Sequence, residues 1–191
     1  LRKELLKQAR GLEKADKVFK NAMIVDVFNE RLLENDIAVA DGIIIGIGEY
    51  QGKEAVDLAG KIVTPGLIDA HLHLESSMTN VDEFARVIIP RGTTTIVADP
   101  HEIANVAGLT GIKYLLKAGN SQPWNFNLML PSCVPASKFE NSGAVLSADD
   151  LKTLIDEKVI FGLCEVMDIQ SVINGEPRIW DKIEMASELF K

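Results

Sequence analysis

The chain has 191 residues, of which 47% are hydrophobic, and its formal net charge is −8 at pH 7. An acidic chain without a basic run is not expected to bind nucleic acid or an anionic membrane surface, and no apolar stretch approaches the ~20 residues of a membrane span. The two cysteines, Cys133 and Cys164, are too few for a disulfide scaffold. Their apolar surroundings, and an N-terminal segment without the apolar core of a signal peptide, predict buried free thiols in a cytoplasmic protein.

The first third of the sequence predicts a helix followed by several short strands. Residues 1–15 place leucine and alanine at helical spacing between lysines and arginines, which predicts a helix. The following stretch is rich in valine and isoleucine and is interrupted by turn residues, which predicts a small β-domain with strands at 22–27, 33–40, 43–47 and 55–58. Asp41-Gly42 joins two of these strands and is typical of a tight hairpin, because both central positions of that turn need a positive φ.

From Pro65 onward the sequence alternates between strands and helices. The predicted strands cover 67–73, 93–98, 126–131 and 159–166, and the predicted helices cover 81–90, 103–118, 148–158 and 180–191. Thr79 or Asn80 is a suitable cap for the first helix, and Ser147 for the third. Strands that alternate with helices indicate right-handed βαβ crossovers and a parallel sheet. We therefore expect an α/β fold with its site at the carboxyl ends of the strands.

Two histidines stand at the end of the first of these strands. Alternate side chains of a strand share a face, so His71 and His73 should point the same way, with Asp69 one step deeper. Two imidazoles on one face suit a divalent transition metal, although an HxH pattern also occurs on ordinary polar surfaces. Further polar residues gather at the ends of the same strands: Glu75, Asp99, His101, Glu102, Ser132 and Glu165. Clustering these charges is costly unless a cation compensates them, which favours a metal site.

Four motifs are more specific than the pair of histidines. They are PGLIDAHLHLESSM, RGTTTIVADPHEIANVAG, LPSCVPASKFENSGA and GLCEVM. Together they resemble the adenine deaminases of the amidohydrolase superfamily, and the resemblance extends from about residue 20 to the end. It implies the first half of a (β/α)8 TIM-type barrel, with its first four βα units in residues 65–191. Residues 1–64 would then form an N-terminal helix and part of a small β-sandwich domain.

The resemblance also implies roles for individual residues. His71 and His73 would bind the metal, and Glu165 would bridge two metal ions and so belong to the catalytic groups as well. His101 would be catalytic, by reaching the metal site, by contacting adenine or by orienting a metal ligand, unless it only fills a gap. Four residues would bind substrate, or else have local roles such as ending the strand or capping the next helix: Ser76, Ser77, Asp99 and Glu102. The expected cofactor is a binuclear centre of Mn2+ or Fe2+, with Zn2+ as the alternative.

For the complete enzyme the resemblance implies a homo-oligomer in purine salvage that hydrolyses adenine to hypoxanthine and ammonia by attack of metal-activated hydroxide. The family's later ligands, two histidines from the fifth and sixth strands and an aspartate from the eighth, are missing. We therefore expect this chain to be a partial or truncated form, inactive alone, whose unpaired outer strands favour aggregation or oligomers. The alternatives are an amidohydrolase that acts on a cyclic amide, and a non-catalytic half-barrel that binds a partner chain.

Overall fold

A computed structural model describes residue 3 and residues 5–155 and 160–189 of the chain. The chain divides into two compact units, Leu1–Pro65 and Gly66–Lys191. Parts of four predicted elements lie outside the described residues, at positions 1, 2, 4, 156–159, 190 and 191. None of the described helices combines the length and the hydrophobicity that a membrane-spanning helix needs.

The first unit contains a short helix and a five-stranded sheet. Helix α1 covers Leu5–Ala9, and strands β1 to β5 cover Ala15–Asp26, Arg31–Ala40, Ile43–Ile47, Gly52–Asp57 and Ile62–Val63. The sheet has the order β3-β2-β1-β4, with β5 also paired to β1. Strand β2 is antiparallel to both β1 and β3, whereas β4 and β5 run parallel to β1. The predicted hairpin is confirmed, because Asp41 and Gly42 join β2 to β3 with φ values of 49° and 71°.

The N-terminal helix is shorter than the sequence predicts. Helix α1 ends at Ala9, two residues before Gly11 takes a φ of 70° that an α-helix cannot continue through. The chain then enters β1 at Ala15, which is fully buried, so the prediction of helix up to residue 15 is wrong. The predicted start of the first strand, at residue 22, is also too late. Lysines and an aspartate interrupt the apolar residues of the first half of β1 and hide its strand character.

The second unit alternates strands and helices as predicted. Its strands β6 to β9 cover Leu67–Leu72, Thr93–Ala98, Asn125–Leu130 and Ile160–Leu163. Its helices α2 to α6 cover Val81–Ile88, His101–Asn120, Ala148–Lys152, Ile169–Ile173 and Pro177–Leu189. The four strands are parallel and lie in chain order, β6-β7-β8-β9. The α/β class and the parallel sheet are therefore confirmed.

Local hydrogen bonds set the ends of several of these elements. Asn80 caps α2 by accepting a backbone hydrogen bond at 2.8 Å. Ser147 caps α4 through a reciprocal pair of bonds with Asp150, as the Ser-x-x-Asp spacing allows. Helix α4 ends at Lys152 and strand β9 at Leu163, both earlier than predicted. Helix α5 was not predicted, because its five residues are too few to show a helical period.

The core of the second unit lies against its two central strands. Ile96 of β7 and Leu128 of β8 are fully buried. Cys133 and Cys164 are buried and free, as predicted. The outer strands are not covered in the same way, since Leu67 of β6 is 59% exposed and Phe161 of β9 is 61% exposed. Both outer strands of the described sheet therefore carry exposed apolar side chains.

Helix α3 is kinked where the loop after β8 reaches it. Gly108 has φ 58° and ψ −143°, which interrupts the helical backbone. In an unbroken helix the carbonyl of Asn105 would bond to the amide four residues later, but here it accepts a hydrogen bond from the amide of Gly143 at 2.8 Å. A side chain at Gly143 would overlap the carbonyl oxygen of Val106. This close contact holds the loop between β8 and α4 beside the first half of α3.

Candidate metal centre

The carboxyl end of β6 carries two histidines that face a carboxylate from the far edge of the sheet. Nε2 of His71 lies 3.8 Å from Oε1 of Glu165, and Nε2 of His73 lies 3.5 Å from the same oxygen. The two imidazole centroids are 4.9 Å apart. His71 lies within β6 and His73 just after it, whereas Glu165 follows the end of β9. The two histidines therefore share a face, and the third sequence-derived ligand meets them there.

The spacing of these donor atoms suits a divalent metal. Tetrahedral bonds of about 2.1 Å place neighbouring ligand atoms about 3.4 Å apart, close to the distances between Glu165 and the two imidazoles. Asp99, only 1% exposed, belongs to the same cluster, because ligand atoms of His71, His73, Asp99 and Glu165 all lie within 4.8 Å of one another. The buried Nδ1 of His73 has no hydrogen-bond partner among the described residues. The donor set thus fits a divalent metal ion of the kind that imidazole and carboxylate ligands bind.

His101 is tied to this cluster through Asp99. Its Nδ1 lies 2.9 Å from Oδ2 of Asp99, and its ring centroid lies 4.7 Å from that of His73. Asp99 is held by backbone bonds, since its amide donates to the carbonyl of Leu72 at 2.9 Å and its Oδ1 accepts from the amide of His101 at 3.1 Å. Burial raises the pKa of Asp99, but its contacts with His101 and the Cys164 thiol outweigh burial and hold that pKa below its usual value. The contact with Asp99 raises the pKa of His101.

A second group of ligand atoms lies next to the first. His73, His101 and Glu102 each place one donor atom within 4.8 Å of the others. The carboxylate of Glu102 also accepts a hydrogen bond from the hydroxyl of Ser76 at 2.7 Å. The hydroxyl of Ser77 donates at 2.6 Å to a backbone carbonyl of its own 3-10 turn. The fold therefore brings Ser76 and Glu102 to the cluster and gives Ser77 a local role in the turn.

Glu75 has a role that sequence reasoning did not assign. Its Oε1 accepts a hydrogen bond at 2.9 Å from the amide of Ile103, in the first turn of α3. Burial raises the pKa of this carboxyl. Glu75 thus caps the start of α3, a role for which the sequence suggested Asp99 and Glu102. Asp99 contributes to the same cap by accepting the hydrogen bond from the amide of His101. The sequence signal for this cap was an acidic residue two positions after the histidine pair. It follows β6, close to the start of α3, which follows the neighbouring strand β7.

A cavity opens beside the second group of ligand atoms. It has a volume of about 260 Å³ and is lined by His101, Glu102, Asn105, Cys133, Ala136 and Glu140. Its walls come from the start of α3 and from the loop that follows β8. A small molecule in this space would contact the side chains of His101 and Glu102, next to the metal-ligand cluster.

The chain is similar in sequence to a known protein family and to several curated proteins. A family model, described as the amidohydrolase family, matches residues 62–189. An adenine deaminase from Petrotoga mobilis is 61% identical over 188 residues, which are 98% of this chain and 33% of that protein. Adenine deaminases from Bacillus velezensis and Archaeoglobus fulgidus are 49% and 47% identical, over 94% and 96% of this chain and 31% and 33% of their own. The chain thus spans about a third of the length of these curated relatives.

Solved structures with a similar fold include two other hydrolases. An L-hydantoinase (dihydropyrimidinase) from Arthrobacter aurescens aligns with a TM-score of 0.55 and 17% identity, over 92% of this chain and 50% of its own. An atrazine chlorohydrolase from Arthrobacter aurescens TC1, solved in complex with zinc, aligns with a TM-score of 0.53 and 17% identity, over 75% of this chain and 45% of its own. At such low identity the likeness concerns the fold alone.

Proposed function

The chain belongs to the amidohydrolase family, and from this premise we propose that it is the N-terminal part of a metal-dependent adenine deaminase. The observation that carries the proposal is an identity of 61% to one adenine deaminase over 98% of this chain. The reaction would convert adenine and water into hypoxanthine and ammonia. The cluster of imidazoles and carboxylates at the strand ends is the place where this chemistry would occur.

The proposed metal ligands are His71, His73 and Glu165. The two imidazoles and Glu165 would hold a binuclear divalent centre, with Glu165 as the bridging carboxylate that the family resemblance implies; its Oε1 faces both rings. Mn2+ or Fe2+ suits this mixture of imidazole and carboxylate, with Zn2+ as the alternative. A divalent ion bound here supplies a water with a pKa lowered toward neutrality. The buried Asp99 lies near enough to add a fourth donor, and this role suits it better than contact with substrate.

His101 is the proposed proton donor to the leaving nitrogen. The exocyclic nitrogen of adenine must gain a proton before it departs as ammonia, which calls for a positioned general acid. The contact of Nδ1 with Asp99 orients the ring of His101 and leaves Nε2 as the atom that donates. The cavity beside it provides room for a small substrate.

Ser76 and Glu102 are the proposed contacts to the purine. Their side chains already form a 2.7 Å hydrogen bond at the edge of the cluster, so together they offer a hydroxyl and a carboxylate to one ligand. A purine edge presents both donors and acceptors, and such a pair can satisfy one of each. Ser77 is not included, because its hydroxyl is used within the turn.

The proposed site is completed by residues that this chain does not contain. Strands β6 to β9 would be the first four of an eight-stranded barrel in residues 65–191, and residues 1–64 would contribute to a small β-sandwich domain. All three histidines of the chain already belong to the two groups of ligand atoms. The two further histidines and the aspartate expected of the family would have to come from elsewhere, so the 191 residues alone should not turn over adenine.

The test compares the complete polypeptide that carries this sequence with the 191-residue chain, both loaded with Mn2+. We expect the complete polypeptide to release ammonia and form hypoxanthine from adenine, and the shorter chain and a His73→Ala variant of the complete polypeptide to do neither. Hydantoin and dihydrouracil are assayed in parallel. Faster turnover of these cyclic amides would contradict the substrate assignment, and undiminished adenine turnover by His73→Ala would contradict the site.

A further inference from the structure

Helix α6 contributes a buried lysine that none of the roles above uses. Lys182 is only 2% exposed, and its Nζ donates a hydrogen bond at 2.9 Å to the backbone carbonyl of Ser132. Burial lowers the pKa of this ammonium group. No carboxylate among the described residues lies within ion-pair distance of it. Burying a lysine without a paired acid costs free energy, and the hydrogen bond to Ser132 offsets part of that cost.

Ser132 connects this lysine to the candidate metal centre. Its carbonyl accepts the bond from Lys182, while its hydroxyl donates to the backbone carbonyl of Glu165. Ser132 is itself only 2% exposed, so water does not compete for either bond. A continuous line of hydrogen bonds therefore runs from α6, through the end of β8, to the main chain of the proposed bridging carboxylate.

The backbone of Glu165 needs this support because the strand ladder ends beside it. Strand β8 ends at Leu130 and is followed by Pro131, which has no amide hydrogen to offer. The amide of Cys164 still bonds to the carbonyl of Leu130 at 2.8 Å. At the next residue, the backbone carbonyl of Glu165 accepts a hydrogen bond from the hydroxyl of Ser132. This bond takes the place of one from a backbone amide of a neighbouring strand.

We propose that Lys182 is a positioning residue, which acts through Ser132 to fix the main chain of Glu165 and thereby aims its carboxylate at His71 and His73. The inference rests on the proposed metal site and adds to it a support that lies outside the ligand set. Side chains that orient metal ligands without binding the metal themselves commonly affect metal affinity. A methionine at this position would fill a similar volume but leave the buried carbonyl of Ser132 without its donor.

The test measures Mn2+ affinity of the complete polypeptide by the paramagnetic resonance signal of free Mn2+ during titration. We expect Lys182→Met and Ser132→Ala each to weaken binding about tenfold. Ile179→Val, a fully buried position on the same helix, is the matched control for lost packing and should stay within about twofold of the wild type. In a Glu165→Gln background, Lys182→Met should cause no further loss, because the carboxylate that it positions is gone.

Three results would overturn the inference. Wild-type Mn2+ affinity in both Lys182→Met and Ser132→Ala would overturn this inference and leave the proposed metal site standing. A loss of Mn2+ affinity in Ile179→Val as large as that in Lys182→Met would also overturn it, because it would indicate a general effect on the fold. Should Lys182→Met fail to fold, Ser132→Ala decides the matter, since it removes only a hydroxyl. A wild-type polypeptide that binds no Mn2+, Fe2+ or Zn2+ would instead overturn the proposed metal site, and this inference with it.

Discussion

The carboxylate of Glu165 lies 3.5 Å from Nε2 of His73, although the two residues follow opposite outer strands of one four-stranded sheet. Neighbouring strands are about 4.8 Å apart, so a flat sheet would separate its outer strands by about 14 Å. Twist and curvature toward the site must therefore close part of that gap. The candidate metal cluster depends on the shape of the whole sheet as much as on the motif that contains its histidines.

Replacing the proposed general acid should separate catalysis from metal binding. In the complete polypeptide, His101→Asn is expected to lower kcat on adenine by about 100-fold or more, because the leaving nitrogen loses its proton donor. The bound Mn2+, measured on the same samples, should remain at the wild-type level, since His101 is not one of the proposed metal ligands. A variant that loses its metal along with its activity would place His101 among the ligands instead.

The two serines after β6 should respond differently to substitution. Ser76→Ala removes the hydroxyl that bonds to Glu102 at 2.7 Å and should raise the KM for adenine by about fivefold with little change in kcat. Ser77→Ala removes the 2.6 Å bond within the turn and should lower the free energy of unfolding by about 1 kcal/mol without changing the KM. Equal effects of the two variants on the KM would contradict this assignment.

The 191-residue chain, expressed without further sequence, should self-associate. Leu67 of β6 and Phe161 of β9 are more than half exposed on the two outer strands, whose backbone edges have no neighbour in the described sheet. Light scattering after size exclusion should give masses well above 20.9 kDa, and Leu67→Lys with Phe161→Lys should shift them downward. A monomer that melts cooperatively would show that the exposed edges do not drive association.

One ion pair of the first unit should make stability depend on pH. Burial alone would raise the pKa of Asp36, but Lys20 Nζ at 2.6 Å and the amide of Asn21 at 2.9 Å outweigh it and hold that pKa below its usual value. A carboxyl with a depressed folded pKa stabilises the fold above its unfolded pKa of about 3.9, and this stabilisation is lost as the pH falls through the folded pKa.

The measurement compares Asp36→Asn with the wild type in denaturant unfolding at several pH values. Near neutral pH the wild type should be more stable by about 1 kcal/mol, a modest value because Lys20 is partly exposed to solvent. The difference should shrink below pH ~4, where the wild-type carboxyl becomes protonated as well. A difference that stays constant down to pH ~2 would show that Asp36 acts through its shape and not through its charge.

The local features of the site could be predicted because they follow from short-range rules. Strand alternation places His71 and His73 on one face whatever the rest of the chain does. The β-branched run at Thr93–Ala98 sets a strand with the bounds that the sequence predicts. The alternation of strands and helices was sufficient for the parallel sheet, since crossovers of this kind have a strongly preferred hand.

Contacts between distant parts of the chain could not be predicted in the same way. The capping of α3 by Glu75 depends on how the turn after β6 meets the next helix, and the approach of Glu165 to His73 depends on sheet curvature. The line of bonds from Lys182 through Ser132 joins segments far apart in sequence, and no spacing rule relates them. Helix α1 was overestimated because helical spacing continued past Gly11, whose positive φ only the structure reveals.

The most direct test of the metal centre is the metal content of the complete polypeptide, measured by plasma mass spectrometry on the wild type and on His71→Ala, His73→Ala and Glu165→Gln. The account predicts about two equivalents of manganese or iron in the wild type and a loss of at least one in each variant, because each removes a ligand. Surface variants such as Glu83→Gln should keep the wild-type content. Wild-type metal content in His71→Ala, His73→Ala and Glu165→Gln alike would contradict the assignment of this cluster as the metal site.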